Sequence, residues 1–186
     1  MQNPIVIEDF NPQWSVTFER IQLELAAALG NLALRIEHVG STAVPGLPAK
    51  PIIDIDVVID SESDLPAATD RLARIGYTYQ GDLGIPRRYA FRAPNADPAH
   101  HLYVCAQDSP ELHRHLLFRD YLRTHPATSH AYGALKRQIQ TEVAGNRVAY
   151  TERKSAFVER VLAEARSSRS EQAANCPALR LYSDNK

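Results

Sequence analysis

Apolar positions recur along this chain with a helical spacing, then a strand spacing, then a helical spacing again. Trp14, Phe18, Ile21, Leu25 and Leu29 stand three or four residues apart, the stripe of a helix that buries one face. Asn11 can cap that helix, Pro12 suits its first position and Gly30 stops it. Leu32 to Val39 and Ile52 to Ile59 then read as strands, with a short helical turn at Thr42 to Val44 broken by Pro45-Gly46. Leu65, Ala68, Leu72 and Ile75 predict a helix over 64–75. Three short strands follow, at Tyr77 to Gln80, Arg88 to Arg92 and His101 to Cys105. The loop "RAPNADPAHH" between the last two is rich in turn formers.

Beyond Ser109-Pro110 only helical spacing remains. Leu112, Leu116, Arg119 and Leu122 predict one helix; Tyr132, Leu135, Ile139 and Val143 a second; Phe157, Val161, Leu162 and Ala165 a third. From Ser167 the periodicity fades into Ser, Arg, Asn and Glu, which predicts a mobile polar tail. Strands gathered in the first half and helices in the second imply an α+β fold. Residues 1–108 are expected to form a sheet domain, 109–166 a helical subdomain of the same unit, and 167–186 the tail.

Composition narrows the function classes. A formal net charge of -1 gives no global attraction for nucleic acid or an anionic membrane. The start "MQNPIVIEDFNPQW" lacks the basic and apolar regions of a signal peptide, and no apolar run approaches the roughly 20 residues that span a bilayer. Cys105 falls in an apolar run and Cys176 in the polar tail. They argue against a disulfide framework and for a reducing, cytoplasmic setting.

Against that background, "HVGSTAVPGLPAKPIIDIDVVI" (residues 38–59) stands out. Side chains alternate along a strand, so Ile53, Ile55, Val57 and Ile59 share one face and Asp54 and Asp56 the other, with Cα atoms roughly 6.6 Å apart. Two carboxylates on one face can lean onto a common cation such as Mg²⁺, which takes few carboxylates and completes its shell with phosphate and water. They can equally be the solvated face of an amphipathic strand, although Ile52 and Val58 share that face and do not suit water. Twelve residues separate Ser41 from Asp54; Gly40 lets backbone approach an anion closely and Ser41 adds a hydroxyl donor. A phosphate held at Ser41 would then reach metal held at Asp54 and Asp56.

Val39-Gly40-Ser41 followed by Asp54-Ile55-Asp56 resembles the signature of the nucleotidyltransferase superfamily. The fuller string "EHVGSTAVPGLPAKPIIDIDVVI", continued through "GY", "HHLYVC", "FRDYLR" and "YGALK", resembles the GrpB-like family within that fold, also found fused to some dephospho-CoA kinases. The resemblance implies a nucleotidyltransferase-like mixed sheet with flanking helices. It also implies Ser41 on a nucleotide phosphate, Asp54 and Asp56 as Mg²⁺ or Mn²⁺ ligands, and a nucleoside triphosphate with a small acceptor as partners. Members of the superfamily usually add a third carboxylate from a later strand. The corresponding "HHLYVC" holds none. By alternation with Leu102 and Val104, His101 faces the cleft, as base, ligand or plain hydrogen-bonding residue. The missing carboxylate leaves open a non-catalytic binding or chaperone-like module that keeps the fold.

Other residues carry two readings each. Lys50 neutralises a phosphate or is an exposed loop lysine. Arg87 and Arg88 clamp a triphosphate or make surface ion pairs. His38 reads as a partly buried histidine bonded to backbone. His113 and His115 stand two apart on a helix and face different ways, which argues against a zinc pair. Arg119-Asp120 reads as an ion-pair group tying helix to sheet. Tyr150 and Lys154, at i and i+4, can reach a cleft or simply pack.

Overall fold

The computed structural model describes residues 6–95, 97–143 and 146–174. Its first helix, α1 (Gln13–Leu29), buries Trp14, Ile21, Leu25 and Leu29. The Asn11 side chain accepts from the Gln13 N–H at 3.0 Å, across a Pro12 that already has helical φ and ψ, which is the capping bond expected of Asn11. A 3₁₀ turn at Gly30–Leu32 delays the first strand, β1 (Arg35–Val39). Another 3₁₀ turn at Ser41–Ala43 leads through the proline-rich loop to β2 (Ile53–Ile59). Then come α2 (Leu65–Arg74), β3 (Thr78–Tyr79), β4 (Tyr89–Arg92) and β5 (His100–Ala106). Three helices follow: α3 (Pro110–Thr124), α4 (Pro126–Glu142) and α5 (Arg147–Ala174).

The five strands form one mixed sheet in the order β1-β2-β5-β4-β3. β2 and β5 run parallel and the other neighbours antiparallel. α1 and α2 cover one face, where Ile53, Ile55, Val57, Ile59, Leu102 and Val104 meet the apolar stripes of both helices. The opposite face carries the aspartates. Its inner end is closed by α3, with Val58 and Cys105 buried against Leu112. This explains why Val58 shares a face with two carboxylates: that face is dry at one end and open at the other.

The remaining helices pack on α3 and on the loop after β1, through Val44, Leu47, Leu122, Tyr132 and Val161. Gly133 allows the close approach of α4, since a Cβ there would lie 2.9 Å from Pro48 Cδ. Arg119 ties α3 to the sheet as its sequence context suggested. It donates to Glu37 Oε2 at 2.8 Å, to the His38 carbonyl at 3.0 Å and to Asp120 Oδ1 at 2.8 Å. α5 continues to Ala174, past the point where periodicity fades. The rest of the expected polar tail, with Cys176, lies outside the described residues. Among the described residues no helix is long and apolar enough to cross a membrane.

Candidate active site

The cleft between the sheet and the C-terminal helices holds a cavity of about 410 Å³ whose lining includes Gly40, Ser41, Lys50, Asp54, Arg88 and His101. Tyr103, His115, Lys136, Tyr150 and Lys154 also line it. Seven of the eight site residues expected from the sequence therefore come together here or directly behind: six line the cavity and Asp56 lies beneath it. Arg87 does not join them. It has φ +64°, and its Nε donates to Glu62 Oε1 at 2.6 Å and its Nη2 to Asp108 Oδ1 at 2.5 Å. The expected arginine clamp is thus reduced to Arg88, because Arg87 is committed to two carboxylates outside the cavity.

Asp54 stands at the mouth. Gly40, at φ +71°, runs so close to it that a Cβ would lie 2.2 Å from Asp54 Oδ2. Only glycine fits both that conformation and that contact. His101 is the cross-strand partner of Asp54, and its Nδ1 donates to Asp54 Oδ1 at 2.8 Å.

Asp56, expected on the same face, as a metal ligand or a solvated carboxylate, is not solvated. Its residue is 0% exposed, enclosed between β1 and β5 and under α3. His115 on α3 donates from Nδ1 to Asp56 Oδ2 at 2.7 Å, and from Nε2 it reaches Glu111 Oε1 at 3.3 Å. Burial alone would lower the imidazole's pKa, but the two carboxylates outweigh it and hold His115 up at about 9. Burial pushes the Asp56 carboxyl upward against the pull of His115. One imidazole thus bridges two carboxylates, Asp56 through Nδ1 and Glu111 through Nε2. Among the described residues Asp56 Oδ1 is left buried with no hydrogen-bond partner, as is Arg88 Nε nearby. Arg88 lays its guanidinium over the Tyr103 ring at 4.3 Å.

The far wall is cationic. Lys136, 3% exposed, donates to Ser41 Oγ at 2.9 Å and to the Pro48 carbonyl. Burial, then the charges of Lys154 and Arg137, bring its pKa down to about 7. Burial also lowers the pKa of Lys154. Lys50 sits 4.3 Å over the Tyr150 ring, and Lys154 lies 5.5 Å from the same ring centroid. Four basic side chains, Lys50, Arg88, Lys136 and Lys154, thus line one cavity in which Asp54 is the single lining carboxylate among the described residues.

His38 remains outside this chemistry. It stacks on Phe18 at 4.6 Å, and its Nε2 meets Thr42 Oγ1 at 3.0 Å while that hydroxyl donates to the Ile52 carbonyl. Burial brings its pKa down to about 4. It is the buried histidine expected, bonded to a side chain rather than to backbone.

Among the described residues no cluster of three or more His, Cys, Asp or Glu side chains could hold a metal by itself. The Asp54–Asp56 pair still fits a hard divalent cation. Asp56 Oδ1 is an unused oxygen, and Mg²⁺ needs only one or two carboxylates where phosphate and water supply the rest.

Sequence reasoning missed Lys136, His115 and Glu111. A signal for two of them was present. Tyr132, Lys136 and Ile139 stand at i, i+4 and i+7, and Leu112, His115, Arg119 and Leu122 at i, i+3, i+7 and i+10. A polar residue at a buried-stripe position asks for a partner.

Comparison with known proteins places this geometry. The profile of the GrpB protein family matches residues 4–164. The chain belongs to the GrpB family. It is 35% identical to the UPF0157 protein YqkA of Bacillus subtilis over 133 residues, covering 72% of this chain but only 39% of that protein. The crystal structure of conserved protein GrpB from Enterococcus faecalis superposes with a TM-score of 0.78 at 34% identity, over 86% of this chain and 96% of that one. The Cid1 poly(U) polymerase crystallised with Mg 3'-dATP superposes at a TM-score of 0.50 and 16% identity, over 79% of this chain and 49% of that one. At that identity the likeness is one of fold, and the fold of this GrpB chain is nucleotidyltransferase-like.

Proposed function

We propose that this GrpB chain transfers a nucleotidyl group from a nucleoside triphosphate to a small acceptor, with Mg²⁺ or Mn²⁺ as cofactor. One observation carries the proposal. Lys50, Arg88, Lys136 and Lys154 surround the Gly40-Ser41 turn in the cavity that Asp54 borders. A triphosphate answers the cations, and a cation bound to that triphosphate answers the carboxylates. The Cid1 structure with Mg 3'-dATP gives the fold a precedent for such a ligand.

In this reaction the acceptor hydroxyl oxygen attacks the α-phosphorus. The new P–O bond forms as the α–β phosphoanhydride bond breaks, and pyrophosphate leaves. The hydroxyl proton passes to a base, for which His101 Nε2 is the candidate. Its Nδ1 is already committed to Asp54, which fixes the tautomer and leaves the Nε2 lone pair free. Ser41 and the lysines hold the triphosphate, and Lys136 keeps Ser41 oriented through their 2.9 Å contact. Asp54 and Asp56 would hold the metal, which supplies charge neutralisation at the phosphate oxygens.

The non-catalytic alternative also has an observation in its favour. Both aspartates already hold an imidazole, and among the described residues no carboxylate besides Asp54 lines the cavity. Calorimetric titration with MgATP, MgGTP, MgCTP and MgUTP tests the shared premise: binding weakened by Ser41→Ala supports a nucleotide site, and no binding of any of the four rejects it. Pyrophosphate release in the presence of an acceptor then separates transferase from binding module.

A further inference from the structure

A second groove, of about 650 Å³, adjoins the cavity and shares two of its lining residues, Ile52 and His101. Thr78 and Arg92 line it as well. The sheet register explains the junction. Asp54 pairs with His101, Phe91 pairs with Leu102, and Thr78 pairs with Arg92. One step beyond the Phe91–Leu102 pair, Arg92 on β4 comes beside His101 on β5. Arg92 also lies two and four residues from Ala90 and Arg88, so it shares the face on which Arg88 lines the first cavity. Asp54, His101, Arg92 and Thr78 therefore form one polar row across four strands, from the mouth of the first cavity to the sheet edge.

The row has a free cationic end. Arg92 and Thr78 are exposed, and among the described residues Arg92 has no ion-pair partner. His100, which also lines the groove, is already spoken for: Nε2 meets the Tyr77 hydroxyl at 2.7 Å and Nδ1 the Pro98 carbonyl at 2.8 Å. A guanidinium beside a hydroxyl is a receptor for a small oxyanion. Adjacent strands lie about 4.8 Å apart, so a ligand bound at Arg92 needs only a few bonds to reach His101.

We propose that this groove binds the acceptor, and that the acceptor is a small hydroxylated oxyanion: its phosphate or carboxylate on Arg92 and Thr78, its hydroxyl at His101 Nε2. As an acceptor site the proposal rests on the nucleotidyl-transfer function; as an oxyanion site it stands separately. The test uses the full chain and three probes, glycerol 3-phosphate, glycerate and neutral glycerol, titrated by calorimetry and by amide chemical shifts. At least one of the two anions should bind, glycerol should not, and Arg92→Met should weaken the anion at least tenfold while Arg92→Lys retains part of the affinity. MgATP affinity should be unchanged in Arg92→Met. Equal binding of the anion to wild type and Arg92→Met, loss of the anion in Lys154→Met instead, or equal binding of all three probes would overturn the proposal. Failure of wild type to bind any nucleotide removes the transferase function and with it the acceptor role, whereas the oxyanion site is decided by the Arg92 variants alone.

Discussion

Two carboxylate–imidazole pairs sit two residues apart on one face of β2, and they differ in almost everything but composition. Asp54 and His101 have side chains 32% and 52% exposed, whereas those of Asp56 and His115 are 0% and 22% exposed. The contact lengths match, at 2.8 and 2.7 Å. The difference is the helix above them. α3 covers the inner end of the aspartate face and stops short of the outer end. In the covered pair, desolvation makes each charge depend on the other. In the open pair, water already serves both groups, so their contact directs a ring more than it holds a fold. Identical chemistry is thus divided between a structural base and a working mouth.

The largest effect should come from breaking the open pair. If His101 is the base, His101→Ala should reduce turnover by about 10²–10⁴-fold, with MgATP affinity little changed and stability altered by no more than about 1 kcal/mol. Steady-state kinetics and urea unfolding of the same preparation measure both. His101→Glu should recover part of the rate by restoring a carboxylate. Turnover unchanged in His101→Ala would assign proton transfer elsewhere.

Breaking the covered pair should unfold rather than inactivate. His115→Ala leaves the Asp56 charge buried without its partner, a loss of about 3–5 kcal/mol, to be read from the urea midpoint. Stability should also depend on pH with a definite sign. The His115 pKa rises from 6.5 unfolded to about 9 folded, so its contribution is complete below about pH 6.5 and is lost as pH rises through about 9. Lys136 runs the other way. Its pKa falls from 10.5 to about 7, so its contribution is complete above about 10.5 and is lost as pH falls through 7. His115→Gln should remove the alkaline decline and leave the Lys136 slope in place. An equal slope from pH 7 to 9 in wild type and His115→Gln would show that the buried proton is not on this ring.

The contrast also explains what the sequence could and could not reveal. Strand alternation was enough to put Ile53, Ile55, Val57 and Ile59 in the core and both aspartates opposite. The apolar stripes gave α1 and α2 nearly to the residue. Alternation treats Asp54 and Asp56 alike, however, and cannot say which one a helix more than 50 residues later will cover. His115 comes from that helix, and Lys136 from the next one, so their roles depend on long-range packing. Arg87 and Arg88 show the same limit at close range. Both precede β4, and Arg87 sits in a turn at φ +64°, so no strand periodicity sorts them and only tertiary context decides which one enters the cleft.

Metal binding should follow the two-pair division at an intermediate size. Mg²⁺ or Mn²⁺ at 100 times its Kd should stabilise the protein by about 2.7 kcal/mol, seen as a rise in melting temperature. Asp54→Asn should abolish the rise with little change in metal-free stability, because Asp54 is open. The double variant Asp54→Asn, Asp56→Asn should abolish it and also shift the metal-free baseline, because Asp56 is buried against His115. A rise of equal size in wild type and double variant would place the metal away from β2.

The smallest effect separates the neighbouring arginines. Arg88 lines the cavity with its guanidinium over Tyr103 and a buried Nε without a partner, so a ligand phosphate would gain a donor that is already dehydrated. Arg87 directs its Nε and Nη2 to Glu62 and Asp108 at the protein surface. Arg88→Ala should therefore weaken MgATP binding about tenfold, which corresponds to about 1.4 kcal/mol. Arg87→Ala should leave nucleotide affinity where it is. Calorimetry on the two single variants is sufficient. If Arg87→Ala weakens nucleotide binding as much as Arg88→Ala, the phosphate does not lie on the Arg88 side of β4, and the boundary drawn here between working cavity and supporting surface moves outward to include Glu62 and Asp108.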